Sequence, residues 1–407
     1  MRTITIKPLL DYYLWAPLAL AGPDLVPEKD ILLEIKNSFI VSQRVVQQDY
    51  LPASVLNHPR FYALEERTTL LPALIDAHVH LALDGKDFNR SRVMWDDRVS
   101  LEGRIRQELK EMISSGIGAV RDGGDCRGIN LEARHLVESE QCPGPRIVAT
   151  GQAIRAQGGY GSFLGLDYHN RAAIPVMVER IWASGADQLK VVVSGVVSFI
   201  EYGSVKGPLM QLDELRYIVS CARERNLKVM AHASSAAAVD LAVDADVDSI
   251  EHGYFARPES LKLMAEKQIA WVPTIIPVAV QAREPLLDLR TPLEIDVISK
   301  TYEEQIEKLN FALELGVPLG VGTDSGAGGV SHAHNLIEEL MLYKAASLTN
   351  RQVLKAATST NAGILGFNKE IGILDRGYRA ALIAVQGNPL EDLEALKDVV
   401  VYLNPGS

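Results

Sequence analysis

From about residue 71 to about residue 325 the chain alternates between two patterns, and this alternation constrains the fold more than any other feature. Short apolar runs recur, among them "GIGAVRDGG", "RIVATGQAI", "QLKVVVSG", "LKVMAHAS", "VDSIEHG", "IAWVPTII" and "VPLGVGTDSG". Amphipathic stretches such as "MQLDELRYIVSCARERN" and "SAAAVDLAVDA" lie between them. A strand that is apolar on both faces has to be covered on both sides. Such strands alternating with helices therefore predict an α/β fold with a parallel sheet. Counting "LPALIDAHV" at residue 71, eight such strands precede residue 325, which predicts a closed (β/α)8 TIM-type barrel over residues 71–365.

The ends of the chain read differently. "RTITIKPLL", "DILLEIKNSFIVSQRVV" and "RFYALEERTTLLP" alternate with the period of strands, and the tail after residue 366 returns to short strands and turns. Residues 1–70 and 366–407 are thus expected to form one small β-sandwich domain with the barrel inserted between its halves. The opening stretch "MRTITIKPLLDYYLWAPLALAG" is interrupted by Asp11 and reads as folded strand rather than a secretory leader. No run of about 18 apolar residues exists, so no membrane span is expected. The net charge of −11, without a Lys/Arg-rich run, argues against nucleic acid as a partner. Three cysteines, Cys126, Cys142 and Cys221, with no C-x-x-C pair, suit a reducing compartment, and the expected location is the cytoplasm.

"LPALIDAHVHLAL" ends an apolar strand in His78 and His80. Side chains at i and i+2 of a strand point the same way, so both imidazoles can reach one metal ion. H-x-H alone is a weak signal. His232 closes "LKVMAHA", His252 closes "SIEHG", Asp324 closes "LGVGTDS", and Lys190 sits in "KVVVSG". Polar residues at the C-terminal ends of barrel strands gather at one mouth, where such folds place their chemistry. An ammonium inside an apolar strand is costly. Beside two cations Lys190 would lose its proton, and the free amine can add carbon dioxide to give a carbamate.

With these residues in hand, the sequence resembles the metal-dependent amidohydrolase superfamily, and within it the imidazolonepropionase and Xaa-Pro dipeptidase-like branch. The motifs that carry the resemblance are "LPALIDAHVHLAL", "AVRDGG", "GADQLKVVVSG", "LKVMAHA", "DSIEHG", "GVGTDSG" and "LKAATSTNAGILGF". The resemblance implies two divalent metal ions, with zinc the default. His78, His80 and Asp324 would hold one, His232 and His252 the second, and carboxylated Lys190 would bridge them. It also implies Asp324 as the proton acceptor and donor in hydrolysis of a C–N amide bond, in a dipeptide or N-acyl amino acid. Alternatives are a cyclic amide, lactone or carbamate as substrate, a deaminase, and a metal-free scaffold relative. Mononuclear deaminases of the superfamily lack the bridging lysine, so Lys190 counts against them. A small-molecule substrate and a homo-oligomeric assembly complete the expectation.

Four further residues are candidates for substrate contact. Tyr160 stands in "RAQGGYGSFLG" where similar dipeptidases read Gly-Gly-His-Gly, and a phenol cannot carry imidazolium charge. Arg155 could pair with a substrate carboxylate. Tyr202 could donate to the scissile carbonyl. His332, in "GGVSHAHNLIEEL", could line the mouth. Two departures from the family pattern are Pro72-Ala73, for Pro-Gly, and Ala380-Ala381, for Ala-Asp.

Overall fold

In the computed structural model, which describes residues 4–6 and 11–403, the first part of the chain supplies six strands. They are β1 (Ile4–Ile6), β2 (Tyr12–Ala21), β3 (Val26–Lys36), β4 (Phe39–Val45), β5 (Phe61–Ala63) and β6 (Thr68–Pro72). Of the opening stretch, residues 1–3 and 7–10 lie outside the described residues. β2 and β3 pair antiparallel from Tyr12 opposite Ile35 to Ala21 opposite Val26. The two-residue period sorts their side chains. Leu14, Ala16, Ile31, Leu33 and Ile35 enter one apolar cluster, while Trp15 and Leu32 enter another with Leu51 and Val55.

At Ala73 the chain passes into parallel strands. β7 (Leu74–Val79), β8 (Ile117–Asp122) and β9 (Arg146–Ala149) pair in parallel in that order. β10 (Ala153–Ala156), β11 (Gly165–Tyr168), β12 (Gln188–Val192), β13 (Lys228–Ala233), β14 (Ser249–His252) and β15 (Ala270–Val272) form a second parallel sheet, ordered β11-β10-β12-β13-β14-β15. Every residue of β7, β8 and β12 is buried, as strands covered on both faces require. Backbone bonds link the two sheets. Asp187 N donates to Ala149 O at 2.8 Å, joining β9 to the start of β12. On the other side the run expected as the eighth strand forms no regular strand, and residues 318–325 instead make isolated parallel bridges, Leu319 to Trp271 of β15 and Ser325 to Val79 of β7. Helices lie between the strands; that over Leu212–Glu224 begins with a capping box between Gln211 and Glu214.

The run "RIVATGQAI" is two strands rather than one. Gly151, at φ +66°, turns the chain between β9 and β10, and the Asn130 amide bonds both Gly151 N and Gly151 O at 2.9 Å. The loop from residue 157 to residue 164 that follows β10 reaches the site described below.

β16 (Leu382–Gln386) and β17 (Val399–Leu403) return to the first sheet. Its order is β1-β17-β16-β6-β2-β3-β4, with β5 beside β2. Leu382 and Ala384 face the cluster of the terminal strands, whereas Ile383 and Val385 face the main core. Among the described residues no helix is long and apolar enough to cross a membrane.

Candidate active site

Three donors meet where β7 ends. His78 is the next-to-last residue of β7 and His80 follows the strand, with ring centroids 5.3 Å apart. Asp324 arrives from the segment beside β7, where its N–H donates to His78 O at 2.7 Å. Its Oδ1 lies 3.4 Å from Nε2 of both histidines. Two ligands of one tetrahedral zinc, each about 2.0–2.1 Å from the ion, stand about 3.3 Å apart, so this spacing fits a metal. Gly123 keeps the space open, since a Cβ there would stand 2.7 Å from His80 Cε1 and 3.3 Å from His78 Nε2.

His252 and His232, from β14 and β13, complete the cluster, with centroids 5.1 Å from His78 to His252 and 4.5 Å from His232 to His252. Lys190 Nζ, from β12, lies 3.4 Å from His78 Nε2. Each imidazole spends one nitrogen on a fixed partner. His78 Nδ1 meets Glu251 at 2.9 Å, His80 Nδ1 meets Gly124 O at 3.2 Å, His252 Nδ1 meets Thr274 Oγ1 at 2.7 Å, and His232 Nε2 meets Gly195 O at 3.1 Å. A ring that donates on one side keeps the other nitrogen as an acceptor, the form that ligates metals. Burial, followed by the Lys190 charge, pushes the His80 and His232 pKa values down to about 3. Burial pushes Lys190 down and Asp324 up, so both shift toward their neutral forms.

Behind His78 lies a buried ion pair. Arg121 is 1% exposed and gives Nη2 to Glu251 at 2.8 Å, Nε to Ala77 O at 2.7 Å and Nη1 to Ser249 at 2.9 Å. Asp76, also buried, accepts from Thr323 N, Thr323 Oγ1 and His78 N, so it ties β7 to the segment that carries Asp324. His252, Thr274 and Asp324 adopt φ values of +67°, +47° and +53°. A branched residue such as Thr274 is strained there, and the surroundings hold it. Glu339 does so by accepting from Ile275 N at 3.0 Å and Ile276 N at 2.7 Å.

Burial pushes Glu339 from 4.5 up to about 8, against those two donors. Between these values the folded chain holds a proton that the unfolded chain has released, so stability falls as pH rises through the window. The expected drop in unfolding temperature from about pH 5 to about pH 8 is smaller in Glu339→Gln, which is neutral throughout. Equal drops in the two proteins would remove Glu339 from this account.

The donors open into a cavity of about 460 Å³, lined by His80, Lys190, His232, His252 and Asp324 together with Tyr160, Phe163, Tyr254, Phe199 and Arg290. Of the four residues expected to contact substrate, the structure brings Tyr160 to this cavity, its ring 5.5 Å from that of His232. The other three are placed elsewhere. Arg155 is engaged by Asp167 and by Gly159 O, so it braces the 157–164 loop from behind. Tyr202 is 45% exposed and donates to Glu304. His332 has both nitrogens taken, by Ser325 Oγ and Leu83 O at 2.8 Å each. Sequence reasoning passed over Arg121, Glu251 and Asp76, although each is a charge inside an apolar strand. Ser234, Tyr254 and Arg290 carried no such signal.

A strand-borne cluster of histidines and aspartate at one end of parallel strands is a hydrolase's arrangement, and the chain belongs to the amidohydrolase family, whose sequence profile matches residues 69–404. It is similar to ochratoxinase from Aspergillus niger, with 24% identity over 416 residues, 95% of this chain and 83% of that protein. It is also similar to imidazolonepropionase from Streptococcus gordonii, 26% identical over 183 residues, 44% of this chain and 52% of that protein. A solved prolidase in complex with N-methylphosphonate-L-proline superposes with a TM-score of 0.83 at 25% identity, over 98% of this chain and 99% of that one. Both arms of the branch read from the motifs are thus represented among its relatives.

Proposed function

We propose that this amidohydrolase is a metal-dependent enzyme that cleaves a C–N amide bond in a small molecule of dipeptide or N-acyl amino acid type. The observation that carries the reading is the His78–His80–Asp324 triad at the spacing of ligands on one tetrahedral ion. His78, His80 and Asp324 would hold one divalent ion and His232 and His252 a second, zinc by default, with carboxylated Lys190 between them. Once bound, such ions make water acidic enough to ionise near neutral pH and polarise a carbonyl. Asp324 is the proton carrier: it would accept the proton of the attacking water and pass it to the leaving nitrogen as the C–N bond breaks. Burial also favours the free amine of Lys190, the form that adds carbon dioxide. The linked parallel strands support a closed (β/α)8 barrel over residues 71–365, with residues 1–70 and 366–407 as the β-sandwich domain.

The test incubates the zinc-loaded protein, with bicarbonate, with pooled dipeptides, N-acyl amino acids, cyclic amides and lactones, read by mass spectrometry. Splitting into acid and amine supports the reading. Loss of ammonia with gain of oxygen replaces it with a deaminase, and water addition without splitting replaces it with a cyclic substrate. Lys190→Ala is expected to lose activity by at least about tenfold together with one bound metal, partly restored by short carboxylic acids. Wild-type rates and metal content in that variant would contradict the carbamate.

A further inference from the structure

The cavity is largely apolar, and its walls fall into two groups. Phe88 and Phe163 meet edge to face at 4.9 Å, Tyr160 and Phe163 at 5.9 Å, and Tyr160 adjoins His232. Phe199, Val278 and Tyr254 belong to a different cluster, where Tyr254 stacks on His252 at 5.8 Å. One apolar wall therefore adjoins each of these two histidines.

The polar atoms of the lining are unevenly used. Among the described lining residues, Ser234 Oγ and Arg290 Nε are buried side-chain atoms with no hydrogen-bond partner. A buried donor left so is unfavourable, and a ligand that meets it recovers the loss. Arg290 lies over the Phe199 ring at 5.0 Å and gives Nη2 to Gln281. Its Nη1 also pairs with Glu294 Oε1 at 3.6 Å, while the other oxygen of that carboxylate accepts from Thr291 N and Oγ1 at 2.8 Å each, so the Nε–H and the remaining Nη hydrogens are what is left over. The guanidinium thus retains donor capacity for an anion. Asp324 is the one carboxylate on the described lining, and it is engaged with His78 and His80. An ammonium entering this cavity would find no second carboxylate on the described lining to offset its charge.

We infer that the substrate is an N-acyl amino acid with an apolar group on each side of the scissile amide and its carboxylate on Arg290, and that dipeptides with a free α-amine are disfavoured. The inference rests on the amide-hydrolase reading and chooses within it. Arg290 is then a specificity-determining residue, and Ser234 Oγ a hydrogen-bonding partner for the substrate's polar atoms.

The test uses metal-replete protein and two readouts. Hydrolysis compares N-benzoyl-L-phenylalanine, N-benzoylphenethylamine, which lacks the carboxylate, and L-phenylalanyl-L-phenylalanine, which has a free amine. Calorimetry compares N-tosyl-L-phenylalanine with N-tosylphenethylamine, a pair without a hydrolysable carbonyl. The carboxylated member of each N-blocked pair is expected to be preferred by about tenfold to a hundredfold, the worth of a charged hydrogen bond. In Arg290→Met that ratio falls to near one; because it is taken within a single protein, partial misfolding does not mimic it. The free-amine dipeptide is expected to react at least about tenfold more slowly than the benzoyl compound. Equal ratios in wild type and Arg290→Met, preference for the dipeptide, or absence of both binding and hydrolysis would overturn the inference. Arg290-dependent binding without hydrolysis of any compound would uphold the cavity assignment and overturn the amide-hydrolase reading instead.

Discussion

Asp324→Asn is expected to lower kcat by about 10³-fold while leaving the bound metal largely unchanged, because general acid–base groups of this kind contribute about 10²–10⁴-fold. Asn has the same shape and keeps one oxygen toward His78 and His80, whose Nε2 atoms now stand 3.4 Å from Asp324 Oδ1. It cannot take up a proton. If Asp324 acts in the transition state alone, kcat and kcat/KM fall together. Metal analysis beside steady-state kinetics separates this from loss of a ligand. Full turnover in Asp324→Asn would end its role as proton carrier; loss of turnover with loss of metal would make it a ligand only.

Arg121→Met is expected to destabilise the fold by about 3–5 kcal/mol, the cost of breaking a buried ion pair from one side. Glu251, 0% exposed, would keep its contacts to His78 and Ser249 but lose the cation that compensates it. The damage is expected to reach the metal, since Glu251 fixes the His78 ring, and changes to such outer partners cost about 10–100-fold in metal affinity. Urea unfolding and zinc titration measure the two effects. Arg121→Met combined with Glu251→Gln removes the stranded charge and is expected to recover stability without recovering zinc affinity. A cost below about 1 kcal/mol for Arg121→Met, the scale of an exposed pair, would show that the pair is not what holds this region together.

Much of this was legible in the chain itself. The parallel strands announced themselves because residues buried on both faces must be apolar throughout, as in "QLKVVV", and the strand-end histidines stood out against that background. Arg121 and Glu251 lay inside quoted motifs, yet their meaning depended on a contact across 130 residues of sequence, which no local pattern encodes. The run "RIVATGQAI" shows the same limit: whether Gly151 turns the chain depended on the Asn130 amide, 21 residues earlier.

The cavity shows the division most clearly. Sequence order put Tyr160 in a glycine-rich loop, Arg155 near it and Tyr202 after the lysine strand, and spacing alone ranked them alike. Tertiary structure separated them, since Asp167 and Gly159 O engage Arg155 and Glu304 holds the Tyr202 hydroxyl, while Arg290 arrives from a segment with no motif and Ser234 from the end of a quoted strand run that did not mark it. The sequence by itself determined the family, the parallel strands and the identities of the candidate ligands, because periodicity and strand position are local properties. Tertiary structure alone decided the hydrogen bonds that orient those residues and the unpaired polar atoms on the cavity lining, because a side chain's free valence depends on what the rest of the chain brings beside it.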